Sequence, residues 1–72
     1  MYIVEIKLHY TNMNEIHPFE TLKEANLFLV NKGFIYDSGD EESDYWILNQ
    51  FTTAEVRLNK NKVFLLGGKY GK

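Results

Sequence analysis

The sequence predicts an α+β fold: a single helix packed on one face of a mostly antiparallel four- to five-stranded sheet, in the order β-α-β-β-β-β. Three observations carry this expectation. Residues 2 to 10 alternate apolar and polar, the period of a half-buried strand. Only one stretch, from Thr21 to Gly33, carries the start and stop signals of a helix. After Gly33 the chain breaks into short alternating or apolar runs separated by polar, turn-forming residues. One helix cannot cover both faces of a sheet, so one face is expected to lack it.

Taken in order, the first strand sets Tyr2, Val4, Ile6, Leu8 and Tyr10 on one side, with Ile3, Glu5, Lys7 and His9 on the other. Thr11 to Asn14 reads as a turn, and Pro18 sits ahead of the helix, where its missing amide proton does no harm. Thr21 and Glu24 have capping-box spacing. Leu22, Ala25, Phe28 and Leu29 share one helical face, and Gly33 is placed to end the helix in the left-handed region. Phe34 to Tyr36 opens a second strand. Residues 44 to 51, DYWILNQF, form a third, with Tyr45, Ile47, Asn49 and Phe51 opposite Trp46, Leu48 and Gln50. The fourth, AEVRLN, turns Ala54, Val56 and Leu58 inward, with Glu55, Arg57 and Asn59 outward. Asn59 to Lys62 is a hairpin-turn candidate leading into a returning strand, Val63 to Leu66. Residues 1–66 are thus expected to form one domain, and 67–72 a flexible Gly/Lys tail. Large apolar residues exceed what one helix can cover. Some of Ile3, Trp46, Leu48, Phe64 and Leu66 should therefore face away from it, as a surface for a partner or for homodimerisation.

Composition bounds the class. At this length a chain buries only about 60 % of its unfolded surface. The 44 % hydrophobic and 15 % aromatic content is nevertheless enough for a core and argues against disorder. The absence of cysteine excludes disulfides and thiolate metal sites. MYIVEIKLHY lacks the basic start and apolar run of a signal peptide, and runs such as FLV and VFLL are too short to span a bilayer. A cytoplasmic protein is expected. The net charge of −2 conceals a polarity: ten acids and three bases up to Val56, then five bases and no acid from Arg57 onward. Such polarity bears on partners and encounter rates.

The densest charge lies in DSGDEESDYW, residues 37–46, where Asp37, Asp40, Glu41, Glu42 and Asp44 run into Tyr45 and Trp46. A calcium loop needs oxygen ligands at alternate positions and a glutamate at the twelfth; counted from Asp37, that position is Leu48. No metal and no cofactor is expected. Carboxylates spaced along a loop can instead imitate phosphates and occupy a cationic groove, with aromatic neighbours as contact anchors. The plain alternative is a solvated turn. The basic end offers a different reading, in which Arg57, Lys60, Lys62, Lys69 and Lys72, interleaved with Phe64 and Tyr70, track a nucleic-acid backbone. Lysines at a hairpin tip also serve to keep an edge strand from aggregating.

Catalysis finds little support. His9 and His17 are the two histidines, and Ser38 and Ser43 have no orienting base beside them in sequence. Gly67-Gly68-Lys69 lacks the rest of a phosphate loop. The expectation is a non-enzymatic module.

FETLKEANLFLVNKGF, followed by an acidic turn, a tryptophan-bearing strand and a charged hairpin, resembles small accessory proteins of Gram-positive phages and mobile elements in size, composition and style. That resemblance implies a protein that binds and inhibits a macromolecule of the host or phage, anti-defence (anti-CRISPR-like) inhibitors among them. The expected partner is a protein, with a nucleic-acid-handling protein the natural target of the acidic surface. Direct nucleic-acid binding by the basic end and a homodimeric structural module are the other readings.

Overall fold

The computed structural model describes residues 1–59. They form one helix and a five-stranded antiparallel sheet: β1 (Tyr2–Leu8), β2 (Met13–Phe19), α1 (Leu22–Asn31), β3 (Ile35–Gly39), β4 (Ser43–Asn49) and β5 (Thr52–Leu58). The spatial order is β2-β1-β5-β4-β3, every neighbouring pair antiparallel. The α+β class and the single helix on an antiparallel sheet are as expected.

One strand was not expected. Met13–Phe19 pairs along the whole of β1, from Tyr2 opposite Phe19 to Leu8 opposite Met13, so the described order is β-β-α-β-β-β. β1 ends at Leu8, two residues early, and the turn falls at residues 9–12 with Asn12 in the left-handed region (φ 61°). Thr11 fixes that turn: its hydroxyl donates to the Leu8 carbonyl and accepts the Met13 N–H, each at 3.2 Å. Pro18 is tolerated because β2 is an edge strand, where one face of the ladder needs no donor. The expected strand Val63–Leu66, the Asn59–Lys62 turn beyond Asn59 and the 66/67 boundary lie outside the described residues. Both sides of β5, against which that strand was expected to fold, are held by β1 and β4.

The helix forms as its punctuation says. Thr21 has extended backbone angles, and its hydroxyl accepts the Glu24 N–H at 3.1 Å. At the other end Gly33 takes φ 95°, the Phe34 N–H reaches the Leu29 carbonyl and the Gly33 N–H reaches that of Val30. This is a Schellman stop, with Phe34 and Leu29 both buried as its apolar clasp. Ala25 and Leu29 pack on Val4, Ile6, Ala54 and Val56, with Phe34 and Trp46 extending the cluster toward β3. These sheet residues come from one side of each strand, as the alternation of β1 and β5 predicts.

Among the described residues the other face is not the apolar surface expected from the surplus, and Phe64 and Leu66 lie outside them. Ile3 is on it and fully buried, but its centre is ionic. Glu5 and Glu55 are direct cross-strand partners, an unfavourable pairing of like charges left alone. Arg57 resolves it, its Nη1 lying 3.1 Å from Glu5 Oε1 and 3.6 Å from Glu55 Oε1, while Lys7 Nζ sits 3.4 Å from Glu55 Oε1. Asn14 Nδ2 donates to Glu5 Oε2 at 2.7 Å and Ser43 Oγ to Glu55 Oε2 at 2.8 Å. The belt thus runs across β2, β1, β5 and β4. Apolar exposure on this face lies to either side of the belt, at Ile16 on β2 and at Ile35, Tyr45 and Ile47 on the β3–β4 margin.

Candidate functional site: an acidic hairpin

The acidic stretch is less a loop than a hairpin. Asp37, Ser38 and Gly39 belong to β3, Ser43 and Asp44 to β4, and the connection is Asp40-Glu41-Glu42 alone. Asp40 builds it. Its Oδ1 accepts the backbone N–H groups of Glu42 (2.8 Å) and Ser43 (2.9 Å), and its own N–H donates to the Ser43 carbonyl at 2.8 Å. The two donors stabilise the charged form and hold the Asp40 carboxyl below its ordinary value. Asp40 therefore shapes the turn, and Glu41, Glu42 and Asp44 present charge from it.

Gly39 keeps the base of the hairpin tight. A methyl group there would run into Asp44 Oδ1, lie 2.6 Å from the Tyr36 hydroxyl and 3.3 Å from the Ser43 carbonyl. Asp37 occupies an irregularity in β3, where the register against β4 shifts between Tyr36 and Ser38.

The two aromatics part company. Trp46 is 7 % exposed and belongs to the helix-side core, with the Tyr36 ring edge-on at 5.6 Å. It supports the hairpin from beneath and is not available as a contact residue, which corrects its expected role. The cause is register: Trp46 stands opposite Ala54, an inward position of β5. Tyr45 points to the opposite face and is 38 % exposed.

Beside the hairpin lies an open groove of about 270 Å³. Tyr2, Leu22, Val56 and Leu58 line its apolar side, and residues 40–44 its acidic one, with Arg57 nearby. Glu5 and Glu55 have cationic partners; Asp37, Asp40, Glu41, Glu42 and Asp44 have no basic partner among the described residues. Nor, among those residues, do three metal-binding side chains converge.

Of the alternative nucleic-acid set, only Arg57 is described, and its guanidinium is engaged by Glu5 and Glu55. Lys60, Lys62, Lys69, Tyr70 and Lys72 lie outside the described residues. The histidines serve locally: His9 Nε2 is 2.8 Å from Thr53 Oγ1, and His17 Nε2 is 3.0 Å from Glu15 Oε1 with its ring 4.7 Å from that of Phe28. Sequence reading missed Gly39, Tyr36 and Ser43 as parts of the site. The signal was a glycine flanked by turn-forming residues between two β-rich runs.

No described helix is long and apolar enough to cross a membrane. Comparison of the chain with protein-family models, with curated proteins and with solved structures finds no match.

Proposed function

We propose that this protein is a non-enzymatic interaction module whose acidic hairpin docks on a cationic surface of a nucleic-acid-handling protein and inhibits it by occupying the place of nucleic acid. One observation carries the reading. Five carboxylates between Asp37 and Asp44 lack a basic partner among the described residues, while the same sheet compensates Glu5 and Glu55 with Lys7 and Arg57. The turn is held by Asp40's own hydrogen bonds, so the charges are preorganised and binding need not order them. A cationic partner supplies the missing counter-charge, and the field of the cluster speeds the encounter. Tyr45 flanks the contact. The resemblance to small phage and mobile-element proteins agrees with such an inhibitory, anti-defence role.

The test presents the full-length chain to a panel of host nucleic-acid-binding proteins, with and without duplex competitor. Expected is a complex displaced by duplex, weakened by salt, and lost in the E41K/E42K/D44K variant while its circular dichroism is unchanged. Binding that survives the three reversals overturns the proposal.

A further inference from the structure

We propose that the partner engages this site by strand addition: an extended segment, in which lysine or arginine alternates with apolar residues, pairs along the outer edge of β3. This rests on the reading of the acidic hairpin as the docking surface and specifies how the contact is made.

The sheet ends in β2 on one side and β3 on the other. β2 is a poor template, because Pro18 removes a donor and Glu15 and His17 are bonded to each other. β3 has no proline, and all five of its residues are exposed. Among the described residues no strand pairs with its outer side, so its outward N–H and C=O groups form a row that an incoming strand can complete.

The side chains around that edge select the occupant. Ile35 is 73 % exposed, and Ile47, opposite it on the neighbouring strand and on the same face, is 40 % exposed. These favour apolar side chains at alternate positions of the added strand. Asp37, Asp40, Glu41 and Glu42 stand along the same edge and its turn without basic partners among the described residues, and they favour cationic side chains at the others. A second copy of β3, paired in full antiparallel register, sets Asp37 against Asp37, which like-charge repulsion disfavours.

The probe is a blocked octapeptide of alternating lysine and valine, added to the full-length ¹⁵N-labelled protein at low salt. Two analogues are compared, one N-methylated on every lysine and one on every valine. Strand addition predicts slower hydrogen exchange and shifted amides at Ile35 to Gly39. It also predicts loss of affinity by about tenfold or more in one methylated analogue and not the other, since a strand donates to β3 from one side only. Equal binding by all three peptides, with shifts confined to Glu41, Glu42 and Asp44, overturns strand addition and leaves the acidic docking surface standing. Addition at β3 that is undiminished in the E41Q/E42Q/D44N protein overturns the acidic docking surface and keeps the edge. Outward amides of β3, those not bonded to β4, already protected before peptide is added overturn the proposal: protection independent of protein concentration assigns the edge to the chain's own residues, and protection growing with concentration assigns it to a second copy.

Discussion

Two regions of this small sheet are rich in carboxylates and treat them in opposite ways. At the centre of the helix-free face, Glu5 and Glu55 stand directly opposite one another and are about four-fifths buried, yet every charge there is met. Arg57 bridges both, Lys7 takes Glu55, and Asn14 and Ser43 fill the remaining oxygens. At the β3–β4 hairpin Asp37, Asp40, Glu41 and Glu42 are exposed and Asp44 is half-buried, and among the described residues none has a basic partner. Burial is the difference. A carboxylate four-fifths buried must be compensated or the fold is destabilised, whereas one that keeps more of its water is hydrated and can be left for another molecule. Charge in the first region therefore bears on stability, and charge in the second is what the proposed docking surface draws on.

The sharpest way to break this contrast is to remove one cation from the belt. Arg57→Leu leaves two opposed, largely buried carboxylates, of which Lys7 meets only Glu55. The expected loss is about 2 kcal/mol, less than the roughly 3–5 kcal/mol for breaking a fully buried pair, because the Arg57 side chain is itself 33 % exposed. For a chain of this size that corresponds to a fall in Tm of about 10 °C, read by thermal unfolding. The matched variant E41Q/E42Q/D44N removes three charges from the hairpin and is expected to change stability by no more than about 0.5 kcal/mol, because Glu41 and Glu42 are exposed, Asp44 is only half-buried, and no described cation pairs with any of them. If the hairpin triple mutant is the more destabilised of the two, the division between paired and unpaired charge fails.

That division was only half legible in the sequence. The inward sets of β1 and β5 follow from strict alternation, and the helix from Thr21, Glu24 and Gly33, because local chemistry decides those elements. β2 was invisible: MNEIHPF is exposed along nearly its whole length, so no burial imposes a period on it, and its strand state comes from pairing with β1. The acidic stretch was visible as charge and misread as a loop, since the Asp40 side chain's capture of two backbone N–H groups shortens the turn and lets β3 run to Gly39. The ionic belt depends on the register that sets Glu5 opposite Glu55 and on β1 lying beside β5, which a long sequence separation conceals. Trp46 could be assigned to neither face until its partner, Ala54, was known.

A change that alters the hairpin's shape and none of its charges separates geometry from charge. Gly39→Ala introduces a methyl group against Asp44 Oδ1 and the Tyr36 hydroxyl. Both are ends of side chains and can swing aside, while the Ser43 carbonyl at 3.3 Å gives less. A loss of about 1 kcal/mol is expected, within the usual range for modest overpacking, with denaturant unfolding as the measure. The amide shifts of Ser43 and Asp44 should move while those of Glu5 and Arg57 stay. If partner affinity falls in this variant although all five carboxylates remain, the placement of the charges matters as well as their number.

The smallest effect expected is the most specific to the hairpin, and it concerns pH. The two backbone donors that close on Asp40 hold its folded-state pKa below the ordinary value of 3.8, so the folded protein binds that proton less readily than the unfolded chain. A depressed carboxyl contributes stability at pH values above the unfolded pKa, and the contribution disappears as pH falls through the folded one. The window is therefore acidic, beginning near pH 4 and extending below it; nothing from this group is expected between pH 5 and 8. Asp40→Ala removes both the acceptor and the titration, and Asp40→Asn keeps an acceptor oxygen without the charge. Urea midpoints measured from pH 7 to pH 2 should fall less steeply below pH 4 in both variants than in the parent, with Asp40→Asn the nearer to the parent at pH 7. Parallel acid limbs in all three proteins would show that the turn does not depend on the ionised carboxylate, and the hairpin would then be held by the strands alone.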